Sequence, residues 1–230
     1  MNIFYKQPIF LQWIEAISLA VIGFWPALII IELGADFPLY YLLFPVYLPV
    51  GQFCFTPLLR LAGIYKYYSP MLLGYLPNQS QIDLHSGGSF DYLFVFAFGK
   101  NDHRPIGRQI MCFHLEGLLH LIQLVETGGV PGSVVISGTS YFFNERTARK
   151  LGFSTEEASL FYRINLYMNA IDLFWMYSVS QGRVALPNLG KAKMLKTTGN
   201  DLVRHKEDVQ NYYRILSGTQ AGEASRNQIA

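Results

Sequence analysis

The chain has 230 residues with 18 basic and 16 acidic side chains, and its formal charge of +2 comes with no Lys/Arg run able to track phosphates, which sets a nucleic-acid partner aside. Hydrophobic residues make up 51% of it and charged residues only 15%, well under the ~25% of a soluble domain, so part of the chain is built to avoid water. Cys54 and Cys112 lie far apart with no CxxC pair, which argues against a disulfide framework or a structural zinc site and fits a reducing compartment.

The apolar part is local: between residues 8 and 62 the charged side chains are Glu15, Glu32, Asp36 and Arg60, whereas charges are frequent from Lys100 onward. Residues 11–31, LQWIEAISLAVIGFWPALIII, have the length of a helix that crosses a hydrocarbon core. Glu15 is the one ionisable group in it and lies near its start, where it can reach headgroups or a partner. The stretch is long for a signal-peptide core, and no small-x-small cleavage pattern follows. Residues 39–59 are uncharged but carry Pro45, Pro49, Gly51 and Pro57. Such breakers ruin a soluble helix, whereas a membrane span tolerates them where neighbours satisfy the freed carbonyls, so a kinked span is expected rather than a re-entrant pair of half-helices.

Residues 32–38, ELGADFP, make a tight connection, giving a transmembrane hairpin over residues 9–62 after a short tail, 1–8. Lys6, Arg60 and Lys66 flank one end of it with no basic residue between, which predicts a membrane protein with both termini cytoplasmic. Tyr65, Tyr67 and Tyr68 read as an interfacial belt where the second span leaves the bilayer.

Residues 63–218 read as a cytoplasmic α+β domain, a mixed sheet with packed helices. Strands are expected at 71–76, 81–85 and 89–98, with Ser86–Gly88 as a hairpin turn between the last two. Pro105 opens a helix whose apolar spacing runs from Ile106 through Ile110, Leu118 and Leu124 to a stop at Gly128. A strand at 133–137, extending towards 143, and a short helix at 145–151 follow. Thr155 is read as the cap of one long helix with an apolar face from Leu160 to Trp175. Extended pieces at 183–186 and 192–196 lead to a last helix, 201–216, ended by Gly218. The polar tail 219–230 reads as disordered.

Three strands, a helix, a strand and a short helix, with the run Arg104-Pro105-Ile106-Gly107-Arg108-Gln109, resemble the middle of the GNAT acyltransferase superfamily over residues 89–153. The later run Asn144-Glu145-Arg146-Thr147-Ala148-Arg149-Lys150-Leu151-Gly152-Phe153 is similar to that family's Lys-Leu-Gly-Phe ending. The resemblance implies a coenzyme A pyrophosphate held by backbone amides at a helix start, with Arg104, Gly107, Arg108 and Gln109 as the cofactor-binding set. Gln109 stands where the family has a second small residue, and the family's N-terminal elements are replaced by the hairpin.

Other constellations are simpler. Glu116 and His120 share a helix face, but His114 points elsewhere and no third ligand is near, so no metal site is expected. Asp83, His85, Ser86, Ser89 and Asp91 invite a hydrolase, yet no nucleophile-elbow pattern accompanies them. Asn165, Asn169 and Asp172 with Tyr162 form a polar stripe suited to a partner. Arg183, Lys191, Lys193, Lys196, Arg204 and Lys206 could face anionic headgroups. The first expectation is an accessory or scaffolding subunit of a membrane assembly, in contact with the bilayer and membrane protein partners and needing no cofactor. The alternative is a membrane-tethered acyltransferase that uses coenzyme A or acyl-CoA near the bilayer surface.

Overall fold

The computed structural model describes residues 3–98, 102–140 and 145–218. Helix α1, Ile9–Asp36, runs unbroken through Pro26 and extends the expected span at both ends. A 3-10 segment, Pro38–Leu43, leads into α2, Phe44–Leu61, which continues past Pro49 and Pro57. Helix α1 and the helical stretch Pro38–Leu61 are each long and apolar enough to cross a membrane. The connection predicted at residues 32–38 is largely helical, and the chain reverses at the extended Phe37.

The seam between these helices is made of small residues. Ala16, Ala20, Gly23, Ala27 and Gly34, together with Gln12 and Ile30, are the buried face of α1, while Val21, Ile22 and Trp25 point outward. A Cβ on Gly23 would lie 2.5 Å from the Cys54 Cβ, so the missing side chain sets how closely α2 approaches. The Tyr47 hydroxyl donates to the Gly23 carbonyl over 2.7 Å, and Thr56 Oγ1 donates to the Gln52 carbonyl over 2.6 Å, beside Pro26 and Pro57 respectively.

The domain begins with β1, Tyr65–Ser69, paired antiparallel to β2, Leu72–Tyr75, which pairs antiparallel to β3, Gln81–Ser86. The tyrosines expected in an interfacial belt are sheet residues, and Tyr68 is buried in the main core. Residues 89–98 are not a strand. Helix α3, Ser89–Tyr92, passes into a π-helical turn, Leu93–Ala97. The Asp91 carboxylate accepts the Gly88 N–H, and Phe90, Phe94 and Phe98 stack at i, i+4 and i+8 with centroids 4.5 and 5.5 Å apart. Ser86–Gly88 therefore introduces a helix, not a hairpin.

Helix α4, Ile106–Glu126, starts after Pro105 as predicted and crosses over to β4, Val135–Ser140, parallel to β3. Residues 141–143 of the predicted strand extension lie outside the described residues, as does the tail from residue 219. Helix α5, Glu145–Lys150, precedes β5, Ser154–Glu157. Thr155 therefore belongs to a strand, opposite Leu195, and Ser159 caps α6, Leu160–Met168. Asn169 separates α6 from α7, Ala170–Gln181. Residues 183–186 form no strand. Strand β6, Lys193–Thr198, inserts between β4 and β5, antiparallel to both. The last helix is divided at His205 into α8, Gly199–Arg204, and α9, Lys206–Ser217.

The described strands form one sheet in the order β1-β2-β3-β4-β6-β5. One face buries Ile82, Leu84 and Ile136 against Leu115 and Leu121 of α4, Leu202 of α8 and Val209 of α9. A second cluster around Met71, Tyr92, Ile110 and Met176 joins α3, α4 and α7. A third, Phe4, Tyr5 and Phe90, locks the base of the hairpin onto the domain.

Candidate functional site

The parallel pair β3–β4 brings polar side chains together at mid-strand, on the sheet face away from its crossover helix α4. Alternation along β3 sends Ile82 and Leu84 into the core and Asp83 and His85 to the opposite face. Asp83 stands opposite Ser137 of β4, whose Oγ donates to Asp83 Oδ1 over 3.3 Å. Its Oδ2 meets His85 Nε2 at 3.2 Å and accepts the Tyr162 hydroxyl of α6 at 3.4 Å. Burial, and then the Asp83 carboxylate, push the Tyr162 phenol above its ordinary value. Lys196 is the register partner of Ser137, so a cation borders the cluster.

Ser86 belongs to the other face, its Oγ 3.2 Å from His114 Nε2 on α4. His114 is buried and desolvation holds it down at about 4, so it is a neutral imidazole at ordinary pH. Ser89 donates to Asp172 of α7, and Trp175 Nε1 donates to the same carboxylate over 2.9 Å. Burial raises Asp172, and these two bonds partly offset it. The five residues grouped in the sequence are thus divided among four environments: Asp83 with His85, Ser86 with His114, Ser89 with Asp172, and Asp91 with Tyr67. No Ser–His–Asp relay forms from them. His120 Nδ1 faces the Tyr68 carbonyl at 2.9 Å, away from His114, and no group of three metal-ligating side chains converges among the described residues.

The residues that the resemblance implied for a cofactor surround the first turn of α4. Arg104 forks onto Asp102, which raises the Arg104 pKa and lowers that of Asp102. Gln109 donates to the carbonyls of Asp102 and Arg104 and so shapes the turn before the helix. Arg108 donates to the carbonyls of Ile215 and Leu216, closing the end of α9. Gly107 lies against α7: a Cβ there would fall 2.8 Å from the Ser180 carbonyl oxygen. In the later motif, Asn144 lies outside the described residues, while Leu151 and Phe153 are core residues. Glu145, Arg146, Arg149 and Lys150 line an open cavity of about 640 Å³.

Of the polar stripe on the expected long helix, Asp172 turns inward and Asn169 accepts from Gln52 of α2. Of the basic residues expected at headgroups, Lys193, Arg204 and Lys206 pair with Glu157, Asp201 and Glu126. Sequence reasoning missed the Asp83–Ser137–Tyr162 contact, because its members come from three elements whose adjacency only the sheet order creates. No protein-family model, curated protein or solved structure matches the chain.

Proposed function

We propose that the chain is a membrane-anchored acyltransferase that moves an acyl group from coenzyme A to an acceptor at the cytoplasmic face of a bilayer. The observation that carries this is the sheet: three antiparallel strands, β1 to β3, a crossover through α4 into the parallel strand β4, then a short helix and an antiparallel pair, with β3 and not the helical residues 89–98 as the strand before the crossover. The support is one of fold, and the site argues separately.

The first turn of α4 fits a pyrophosphate through its backbone. The amides of Ile106 and Gly107 have no helical acceptor, and the dipole of a 21-residue helix favours an anion there. Arg104 and Arg108 contribute positive field only, since their guanidiniums are engaged with Asp102 and the end of α9. Bound there, acyl-CoA supplies the activated thioester. On the sheet face opposite α4, Asp83, steadied by Ser137 and Tyr162, would take the proton from an acceptor presented there as it attacks the thioester carbon; the C–S bond breaks and the proton ends on the departing coenzyme A thiolate. The hairpin anchors this domain: small residues fill its seam, large apolar residues face outward, Arg60 marks the domain end and Glu32 and Asp36 the far end. Both termini are then cytoplasmic.

Titrating coenzyme A against the detergent-solubilised protein tests this. A ligand at about 100 times its Kd adds ~2.7 kcal/mol of stability and must raise the melting temperature. No shift at millimolar coenzyme A would sink the proposal.

One observation favours a second function, an accessory subunit without turnover. At Gly107 the end of α7 is laid directly against the turn that would hold the nucleotide. That function predicts no coenzyme A shift and a stoichiometric membrane partner after mild extraction.

A further inference from the structure

We propose that α6 and the first turn of α7 form a second membrane element, lying beside the hairpin with their apolar face against lipid acyl chains of the cytoplasmic leaflet. The proposal rests on the hairpin being a bilayer anchor.

Leu160, Phe161, Ile164, Tyr167 and Ile171 follow helical spacing along one face, and Leu160 and Phe161 are 75% and 78% exposed. The opposite side of α6 is half-buried on the domain through Tyr162, which bonds Asp83, and Leu166, while Arg163 on the flank of the apolar face pairs with Glu157 at 3.0 Å. An amphipathic helix of this pattern lies in the plane of a bilayer interface.

Its height decides what covers it. Gln52 Nε2 of α2 donates to Asn169 Oδ1, at the elbow between α6 and α7. Gln52 is eight residues before Arg60, so the elbow meets α2 about 12 Å from its headgroup end, towards the tip of the hairpin. Arg60 is held at that end by stacking over Tyr5 and Tyr67, 3.4 and 4.7 Å from the ring centroids. The elbow is therefore joined to the flank of the span and not to its end. Val46 and Val50 of α2 and Val21, Ile22 and Trp25 of α1 are exposed elsewhere on the hairpin, Val46 and Val50 on the side of α2 turned away from Gln52. An apolar face joined through Gln52 to the flank of a lipid-anchored span, some way from its headgroup end, is covered by lipid.

The test uses the full chain in phosphatidylcholine–phosphatidylglycerol vesicles, with Cys54 and Cys112 replaced by alanine and one spin label at Phe161→Cys, Ile164→Cys, Glu157→Cys or Val21→Cys. Collisions with oxygen, which partitions into lipid, are compared with those of a water-soluble nickel chelate. Oxygen should dominate several-fold at Phe161 and Ile164, as at Val21, and the ratio should reverse at Glu157. Nickel dominance at Phe161 and Ile164 with Val21 still lipid-exposed overturns this proposal alone. Nickel dominance at Val21 as well overturns the anchor with it. Few collisions with either reagent at Phe161 and Ile164 mean that protein covers the face, and also overturn the proposal.

Discussion

Tyr67 of β1 donates its hydroxyl to the carboxylate of Asp91 in α3 over 2.8 Å, and Asp91 is wholly buried. This bond ties the first strand after the hairpin to the helix that packs on α2. Burial, and then the charge of Asp91, push the Tyr67 phenol well above its ordinary value, so it stays a donor at any pH the protein meets. Tyr67→Phe removes one donor from a buried carboxylate and should cost about 1.5–3 kcal/mol in detergent unfolding experiments.

Gly23→Val should damage the hairpin itself. The new side chain meets the Cys54 Cβ, which belongs to a packed helix and cannot swing away. Overpacking of this kind costs about 1–3 kcal/mol, and Gly23→Ala should cost less than Gly23→Val when the two are ranked by thermal denaturation.

Gly107→Ala sets two effects against each other. Alanine gains about 1 kcal/mol of helix propensity over glycine, but its Cβ meets the backbone carbonyl of Ser180, which must move. Net destabilisation is expected, with α4 and α7 pushed apart. The same variant should weaken the coenzyme A shift, and a gain in stability would show that the close approach is absent in solution.

His114 makes stability depend on pH. Its pKa is pushed down from 6.5 to about 4 in the folded protein, so the unfolded chain binds the proton more readily over that interval. Stability therefore falls as pH drops from about 6.5 towards 4, is unaffected by this group above that range, and loses at most about 3 kcal/mol. Urea midpoints measured across pH 4 to 7 should show the slope. His114→Gln, which still offers a partner to Ser86, should flatten it.

Asp83→Asn keeps the shape of the cluster and removes the base. Turnover with an acyl-CoA and an amine acceptor should fall by about 10²–10⁴ while the coenzyme A melting shift is retained. Tyr162→Phe, which only removes a steadying bond to Asp83, should cost less. Equal activity of Asp83→Asn and the parent would remove Asp83 from the reaction.

The sequence by itself determined the features that need no distant partner. Two long apolar runs, one with the single charge of Glu15 and one uncharged but carrying three prolines, announce their length and avoidance of water, and Pro105 marks where α4 can begin because its missing N–H costs nothing at a helix start. The apolar spacing from Leu160 onward was also legible, although not the break at Asn169.

Tertiary structure decided the rest. Residues 89–98 have an almost continuous apolar character, which carries no period, and it took packing of Phe90 and Phe94 against Phe4 and Phe53 of the hairpin region to select a helix. Ser154–Glu157 is polar and short, and becomes a strand only because β6 arrives later in the chain to pair with it. The candidate site follows the same logic. Alternation along β3 separates Asp83 from its neighbours Ile82 and Leu84, but only the crossover of α4 and the return of α6 determine that Asp83 meets Ser137 and Tyr162 while Ser86 meets His114.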